Sequence, residues 1–246
     1  MDGMRAGTFA ADAESVGALA DPVRLALYRY VCAQAEPVSR DHAAQAVGVP
    51  RHQARFHLDR LAADGLLETS HARLTGRSGP GAGRPATLYR RATRQITISL
   101  PDREYELAAR LLGDAVAESA RTGTPVIDAV NATFAAYGDA AGRAAQPEAD
   151  ALGTTVRVLA EHGYEPRRDA DHVDLHNCPF HALAQVHTDL VCGANRCLVE
   201  ALADGIAPDR LDVRLDPHPD RCCVVLDARP PAGRCPRGPP GRRADR

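Results

Sequence analysis

Apolar positions in the first third of the chain recur at helical spacing. Leu19, Val23, Leu27, Tyr30 and Val31 predict a helix over 14–34, with Asp21-Pro22 marking a break near its start. Ser39 predicts the cap of a short helix ending at Val47, and Gly48-Val49-Pro50 a tight turn. A further helix over 51–64 is closed by Gly65. Leu66-Leu67 then opens an extended segment. Residues 76–85 (GRSGPGAGRP) hold four Gly and two Pro and read as a loop; 87–91 and 95–100 read as extended.

Two amphipathic helices follow. Leu107, Leu111, Leu112, Ala115 and Val116 mark the first, at 102–121. Val126, Ala129, Val130, Thr133, Phe134 and Tyr137 mark the second, at 124–142. Each stripe suits a core face, and the first suits a dimer seam equally well, since amphipathicity does not name the partner. Beyond a linker at 142–146 the pattern is mixed. It predicts a helix over 148–162 ended by Gly163, strands at 164–168 and 172–177, and a short helix opened by Pro179. A longer helix over 188–202 and strands at 210–215 and 221–227 follow. Residues 228–246 contain five Pro, three Gly and six Arg and predict a disordered basic tail. The expected fold is α+β. It comprises a winged helix-turn-helix over 14–95, a helical dimerisation segment over 96–145 and an α/β cysteine-containing sensor domain over 148–227, then the tail.

Composition changes this picture in three ways. First, 44% hydrophobic and 25% charged residues are ordinary for a globular chain of 246 residues. Aromatics are only 4%, so Leu, Val and Ala must fill the core. Second, the net charge of −2 hides a gradient. Residues 40–95 carry ten Arg against four acids, and 101–223 carry eleven Arg against twenty-one. A basic N-terminal part on an acidic body expects a polyanion at the first part alone. Third, seven cysteines in a chain with no basic-then-apolar leader and no long apolar run favour metal or thiol chemistry over a disulfide framework. A cytoplasmic protein with no membrane contact is expected.

Helix, tight turn, helix and Gly-rich hairpin together predict a DNA-binding winged helix-turn-helix. On the second helix Ala54, Leu58, Leu61 and Gly65 share an inward face. His52, Gln53, Phe56 and Arg60 lie opposite, with Arg51 and Arg55 on the flanks. Arg and Gln can reach base edges in the major groove, and Phe56 can touch a thymine methyl or pack under the wing. Arg73, Arg77, Arg84, Arg90 and Arg91 surround the wing turn, where phosphates or the minor groove are the expected partners. The bland alternative is a solvated basic face.

The C-terminal part holds Cys178, Cys192, Cys197, Cys222 and Cys223. Cys178 precedes Pro179 at an expected helix N-cap, and Cys192 falls near the start of the next helix. A helix dipole would favour thiolate at both. Thiolates are what iron–sulfur clusters and zinc require. On the 188–202 helix the expected apolar stripe is Leu190, Val191, Ala194, Leu198 and Ala201, with Cys197 on its edge and Cys192 nearly opposite. On a strand, Cys222 and Cys223 would point to opposite faces, so one of the two is expected to ligate. His176, His181, Cys197 or a small molecule could supply a fourth ligand. Cys32 is expected in the core and Cys235 in the tail. Structural burial of all these cysteines is the bland reading.

The run GVPRHQARFHLDRLAADGLLE (48–68) resembles the recognition helix of ArsR-like winged-helix repressors. GRPATLYR (83–90), LPDREYELAARLL (100–112) and NCPFHALA (177–184) together resemble SufR-type iron–sulfur regulators. The resemblance implies a homodimeric repressor that binds a double-stranded DNA operator. It also implies an iron–sulfur cluster, 2Fe–2S or 4Fe–4S, on Cys178, Cys192 and Cys222 or Cys223. A zinc, thiol-redox or small-molecule sensor on the same DNA-binding module is the alternative. An enzyme is not expected, since the chain has no HExxH, P-loop, GxSxG or dinucleotide fingerprint.

Overall fold

The computed structural model describes residues 2–72, 85–146 and 150–229. It divides into two compact units, residues 1–98 and 99–246. In the first, α1 (Asp2–Gly17) and a 3-10 turn (Ala18–Ala20) precede α2 (Pro22–Cys32). The helix expected over 14–34 is therefore broken. Pro22 has no N–H to continue a helix, and the Asp21 carboxylate caps α2 by accepting the Arg24 N–H at 2.9 Å. Ser39 caps α3 (Arg40–Val47) through the His42 N–H, 3.2 Å away. Gly48 takes the left-handed conformation, φ 73°, that turns the chain into α4 (Arg51–Ala63).

Strands β1 (Val38–Ser39), β2 (Leu67–Ala72) and β3 (Ala86–Arg91) form an antiparallel sheet in the order β1-β3-β2. Leu67 pairs with Arg91 and Ala72 with Ala86, so β2 and β3 form a hairpin. Residues 95–100, expected to be extended, join no sheet. Leu27, Val31, Ala54, Leu58, Leu61, Leu67 and Tyr89 close the core.

In the second unit α5 (Tyr105–Thr122) and α6 (Val126–Ala144) precede α7 (Ala151–Glu161), β4 (Pro166–Asp169) and β5 (His172–Leu175). Then come α8 (His181–Val186), α9 (Thr188–Ile206), β6 (Leu211–Leu215) and β7 (Val224–Ala228). The four strands form an antiparallel sheet, β4-β5-β7-β6. Val173 faces Leu226, which faces Val213, and these side chains enter the core with Leu198 and Leu202 of α9.

The helical segment expected to stand apart at 96–145 does not. Leu107, Leu111, Ala129, Val130 and Phe134 share one core with the sheet and α9. Helices α6 and α9 meet backbone to backbone. A Cβ on Gly138 would stand 2.9 Å from the carbonyl carbon of Leu198 and nearer still to its oxygen. Gly142 stands likewise against Leu202.

Candidate nucleic-acid interface and thiol site

Helix α4 buries Ala54, His57, Leu58 and Leu61. His57, not counted inward from the sequence, accepts from the Arg24 Nε at 3.4 Å. The exposed face carries Arg51, His52, Arg55, Phe56 and Arg60, with Gln53 half-buried. Phe56 is 65% exposed and stacks edge-on against His57. Pro50, at the N-cap, has no side-chain acceptor, and the first amides of α4 have no side-chain cap.

Several of these arginines have acidic neighbours. Arg55 lies 3.4 Å from Asp59, and Arg51 3.5 Å from Asp41. Arg60 meets Asp64 and Glu14, each at 3.0 Å. Asp59 also accepts from the buried Tyr89 hydroxyl at 2.5 Å, which together with burial pushes the phenol pKa up. Arg90 is held by Glu68 on the facing strand, at 3.0 and 2.7 Å. Glu68 is in turn held below the usual carboxylate range by the Thr93 N–H and Arg90. Arg90, expected to meet phosphate, is thus paired with Glu68 at the surface. Arg73, Arg77 and Arg84 lie outside the described residues.

The second site is a set of thiols. Cys178, Cys192, Cys222 and Cys223 come from three separated stretches of sequence, and their sulfurs form a connected series. The Cys222 sulfur interacts with those of Cys178 and Cys223, and the Cys192 sulfur with that of Cys223. The strand alternation expected to separate Cys222 from Cys223 does not apply, because β7 starts at Val224. Both residues precede the strand. Cys178 and Cys222 are buried, Cys192 and Cys223 half-buried.

Two of the four thiols are lowered from their ordinary value and two are raised. Cys223 is drawn down to about 6 by the Cys222 thiol, the Cys192 thiol, its own N–H and the Arg221 cation, against the opposing effect of burial. Cys178 is lowered by the Cys222 thiol, the Phe180 N–H and Arg103. Cys222 is raised by the neighbouring Cys178 and Cys223 sulfurs and by burial. Burial, then the neighbouring Cys223 sulfur, pushes Cys192 up to about 12. The helix-dipole expectation therefore fails for Cys192, which is the fifth residue of α9 and lies past the first turn. Cys178 sits two residues before the N-cap of α8, which is Phe180.

The inner face of α9 is rotated from the expected stripe. It holds Val191, Ala194, Asn195, Leu198, Val199 and Leu202. At 100° per residue Cys192 lies only about 60° from Asn195, which is how it reaches the other thiols. Cys197 points elsewhere; its sulfur is 3.8 Å from Arg196 Nη2. Asn195 donates to the Cys222 sulfur at 3.4 Å and accepts from the buried Tyr164 hydroxyl. Arg221 fixes the Cys222–Cys223 turn: it donates to the Cys222 carbonyl at 3.2 Å and to Asp216, and forms an ion pair with Asp174.

Sequence reading missed Asn195, Arg221, Arg103 and Asn177. A lone Asn on an apolar helix face was the available signal for the first. Cys32 is half-buried beside Tyr28 and is far in sequence from this set, and Cys235 lies outside the described residues.

Four interacting thiols, with Cys178 and Cys223 lowered and flanked by Arg103 and Arg221, suit an iron–sulfur cluster or zinc by donor chemistry. Among the described residues no group of three or more His, Cys, Asp or Glu side chains is arranged to hold a single metal ion. The fit therefore rests on donor type and convergence.

A helix-turn-helix followed by a β-hairpin defines the N-terminal unit as a helix-turn-helix module of the kind found in DNA-binding transcription regulators. A family model described as a helix-turn-helix domain matches residues 19–70, which span α2, α3, α4 and the start of β2. No curated protein and no solved structure matches the chain. Among the described residues no helix is long and apolar enough to cross a membrane.

Proposed function

We propose that this chain is a transcriptional repressor, not an enzyme, whose affinity for an operator is set by an iron–sulfur cluster on Cys178, Cys192, Cys222 and Cys223. The convergence of four cysteines from three chain segments carries this reading, since scattered structural cysteines would not meet. When bound, the cluster supplies a redox-sensitive link between those segments. The chain's own part is to hold the ligands. Asn195 orients Cys222, Arg221 fixes the 222–223 turn, and Arg103 lies beside Cys178.

DNA recognition falls to the exposed face of α4. Arg55 and Gln53 address base edges, while Arg51 and the uncapped amides of α4 address phosphate. Two copies bind a symmetric operator. The dimer seam cannot use Leu107 and Leu111, which are buried in the unit's own core. The outer face of α5, with Ala109, Gly113, Val116 and Ala117 exposed, is the face left to a partner.

The test is anaerobic purification of the full chain followed by iron, sulfide and zinc analysis. Equimolar iron and sulfide with visible absorption supports the reading. Zinc without sulfide turns the site into a zinc sensor, and neither metal refutes the cluster.

A further inference from the structure

The thiol site is tied to a stretch of chain that contributes no thiol. Residues 99–104 begin the second unit and follow directly on residue 98, the last of the helix-turn-helix unit. Asn177, immediately before Cys178, is 4% exposed. Its Nδ2 donates to the Asp102 carbonyl at 2.8 Å and to the Gly163 carbonyl at 2.6 Å. Its Oδ1 accepts from Arg103 Nη1. The same guanidinium nitrogen donates to the Cys178 carbonyl at 3.0 Å. One residue on, the Glu104 N–H donates to the Pro179 carbonyl at 3.1 Å. Residues 102, 103 and 104 are thus bonded to residues 177, 178 and 179.

Gly163 forms the floor of this junction. At φ +80° it adopts a conformation suited to glycine, and a Cβ there would stand 3.3 Å from Asp102 Cβ and 3.7 Å from Pro179 Cγ. The amide of Asn177 spends both kinds of hydrogen-bonding capacity here. A buried amide so engaged leaves little freedom for one strand of the junction to move without the other, because a lost partner would leave a buried polar group unpaired.

We infer that Asn177 and Arg103 form a clasp that couples the thiol site to the chain segment leading into the helix-turn-helix unit. The inference rests on the reading of the thiols as a sensor. A change at the Cys178 sulfur shifts the 177–179 backbone, and the clasp passes that shift to residues 102–104. Asn177 and Arg103 are positioning residues; neither supplies a ligand. The clasp gives the sensor a covalently continuous path toward the DNA-binding unit, because that unit ends at residue 98, a few residues before the clasp.

The test uses the full chain with Arg103→Gln, Asn177→Ala and Arg103→Lys. Hydrogen exchange under reducing conditions, with no cluster added, is read first at the Glu104 amide and at the His181 amide, which donates to the Cys178 carbonyl at 3.1 Å. In Arg103→Gln and Asn177→Ala both amides should exchange faster together, by about tenfold or more for one lost charge-assisted bond, while α9 amides keep their protection. Arg103→Lys should recover part of the protection. Acceleration at one amide without the other, or at neither, overturns the clasp. The second readout is DNA affinity of protein with and without reconstituted cluster. Compared at equal measured iron and sulfide content, Arg103→Gln should lose most of the affinity ratio between the two states. A variant that keeps the wild-type ratio overturns the coupling. A wild-type chain that takes up no cluster refutes the sensor reading instead, and hydrogen exchange still decides the clasp.

Discussion

Replacing Gly138 by Ala tests how the second unit is built and what its packing does for the thiol site. An added methyl at position 138 would meet backbone rather than a yielding side chain: the Leu198 carbonyl carbon at 2.9 Å, its Cα at 3.1 Å, and its oxygen closer still. Relief requires α6 and α9 to part by roughly an ångström, which a close-packed interior resists. Overpacking of this kind costs about 1–3 kcal/mol, against roughly 1 kcal/mol gained from the better helix propensity of Ala. A net loss of up to about 2 kcal/mol remains, or up to roughly 8 °C in Tm for a unit of this size. Gly113 on α5 is the internal control. A Cβ there meets nothing within 4 Å, so Gly113→Ala should raise stability by up to about 1 kcal/mol. Because α9 also carries Cys192, Gly138→Ala should lower cluster loading as well, and Gly113→Ala should not. The assay is thermal unfolding followed by circular dichroism, with iron and sulfide measured on the same preparations. Equal Tm values for the two variants would refute the backbone contact between α6 and α9.

Three further outcomes follow from the sites. Arg55→Ala and Gln53→Ala should each relax base preference by about 1–3 kcal/mol in a selection from random duplexes, whereas Arg90→Ala should change DNA affinity little, since Glu68 already holds that charge. Serine at Cys178, Cys192, Cys222 or Cys223 should each lower iron and sulfide after reconstitution, while Cys197→Ser and Cys32→Ser should leave them at the wild-type level. His172 is raised above its ordinary value by Asp227, then Asp174, so its protonated form stabilises the fold fully below the unfolded value near 6.5, and that contribution is lost as pH rises through the folded value. The site is about one-third exposed, so His172→Gln should remove no more than about 1 kcal/mol on the acid side, read as a change in urea midpoint between acidic and alkaline buffer.

The N-terminal unit was largely legible because its signals are local. Ser39, Gly48 and Gly65 each act on their own few residues, and the positions of α3 and α4 followed from them. The inward face of α4 was legible too, except for His57, whose burial depends on Arg24 from another helix. The thiol site was legible in its membership and not in its geometry. Phase on α9 was misjudged because Asn195, a polar residue, occupies the centre of the buried face, where it serves Cys222 and Tyr164. The start of β7 at Val224 is hidden by the apolar run around Cys222 and Cys223, so alternation cannot be placed from the sequence. The separate helical segment dissolved into the second unit because glycines on α6, which look weak for a helix, permit the approach of α9. Arg103 and Asn177 give no sequence signal, since their partnership spans more than seventy residues.

The most direct measurement is the affinity of the full chain for a duplex selected from a random pool, taken on one anaerobic preparation before and after the cluster is removed. Stoichiometric iron and sulfide in the first sample, with a change in Kd of about tenfold or more between the two, is the expected result, that being the usual scale of coupling between two sites. Iron and sulfide present with an unchanged Kd, or no iron and sulfide at all, would contradict a cluster-controlled regulator.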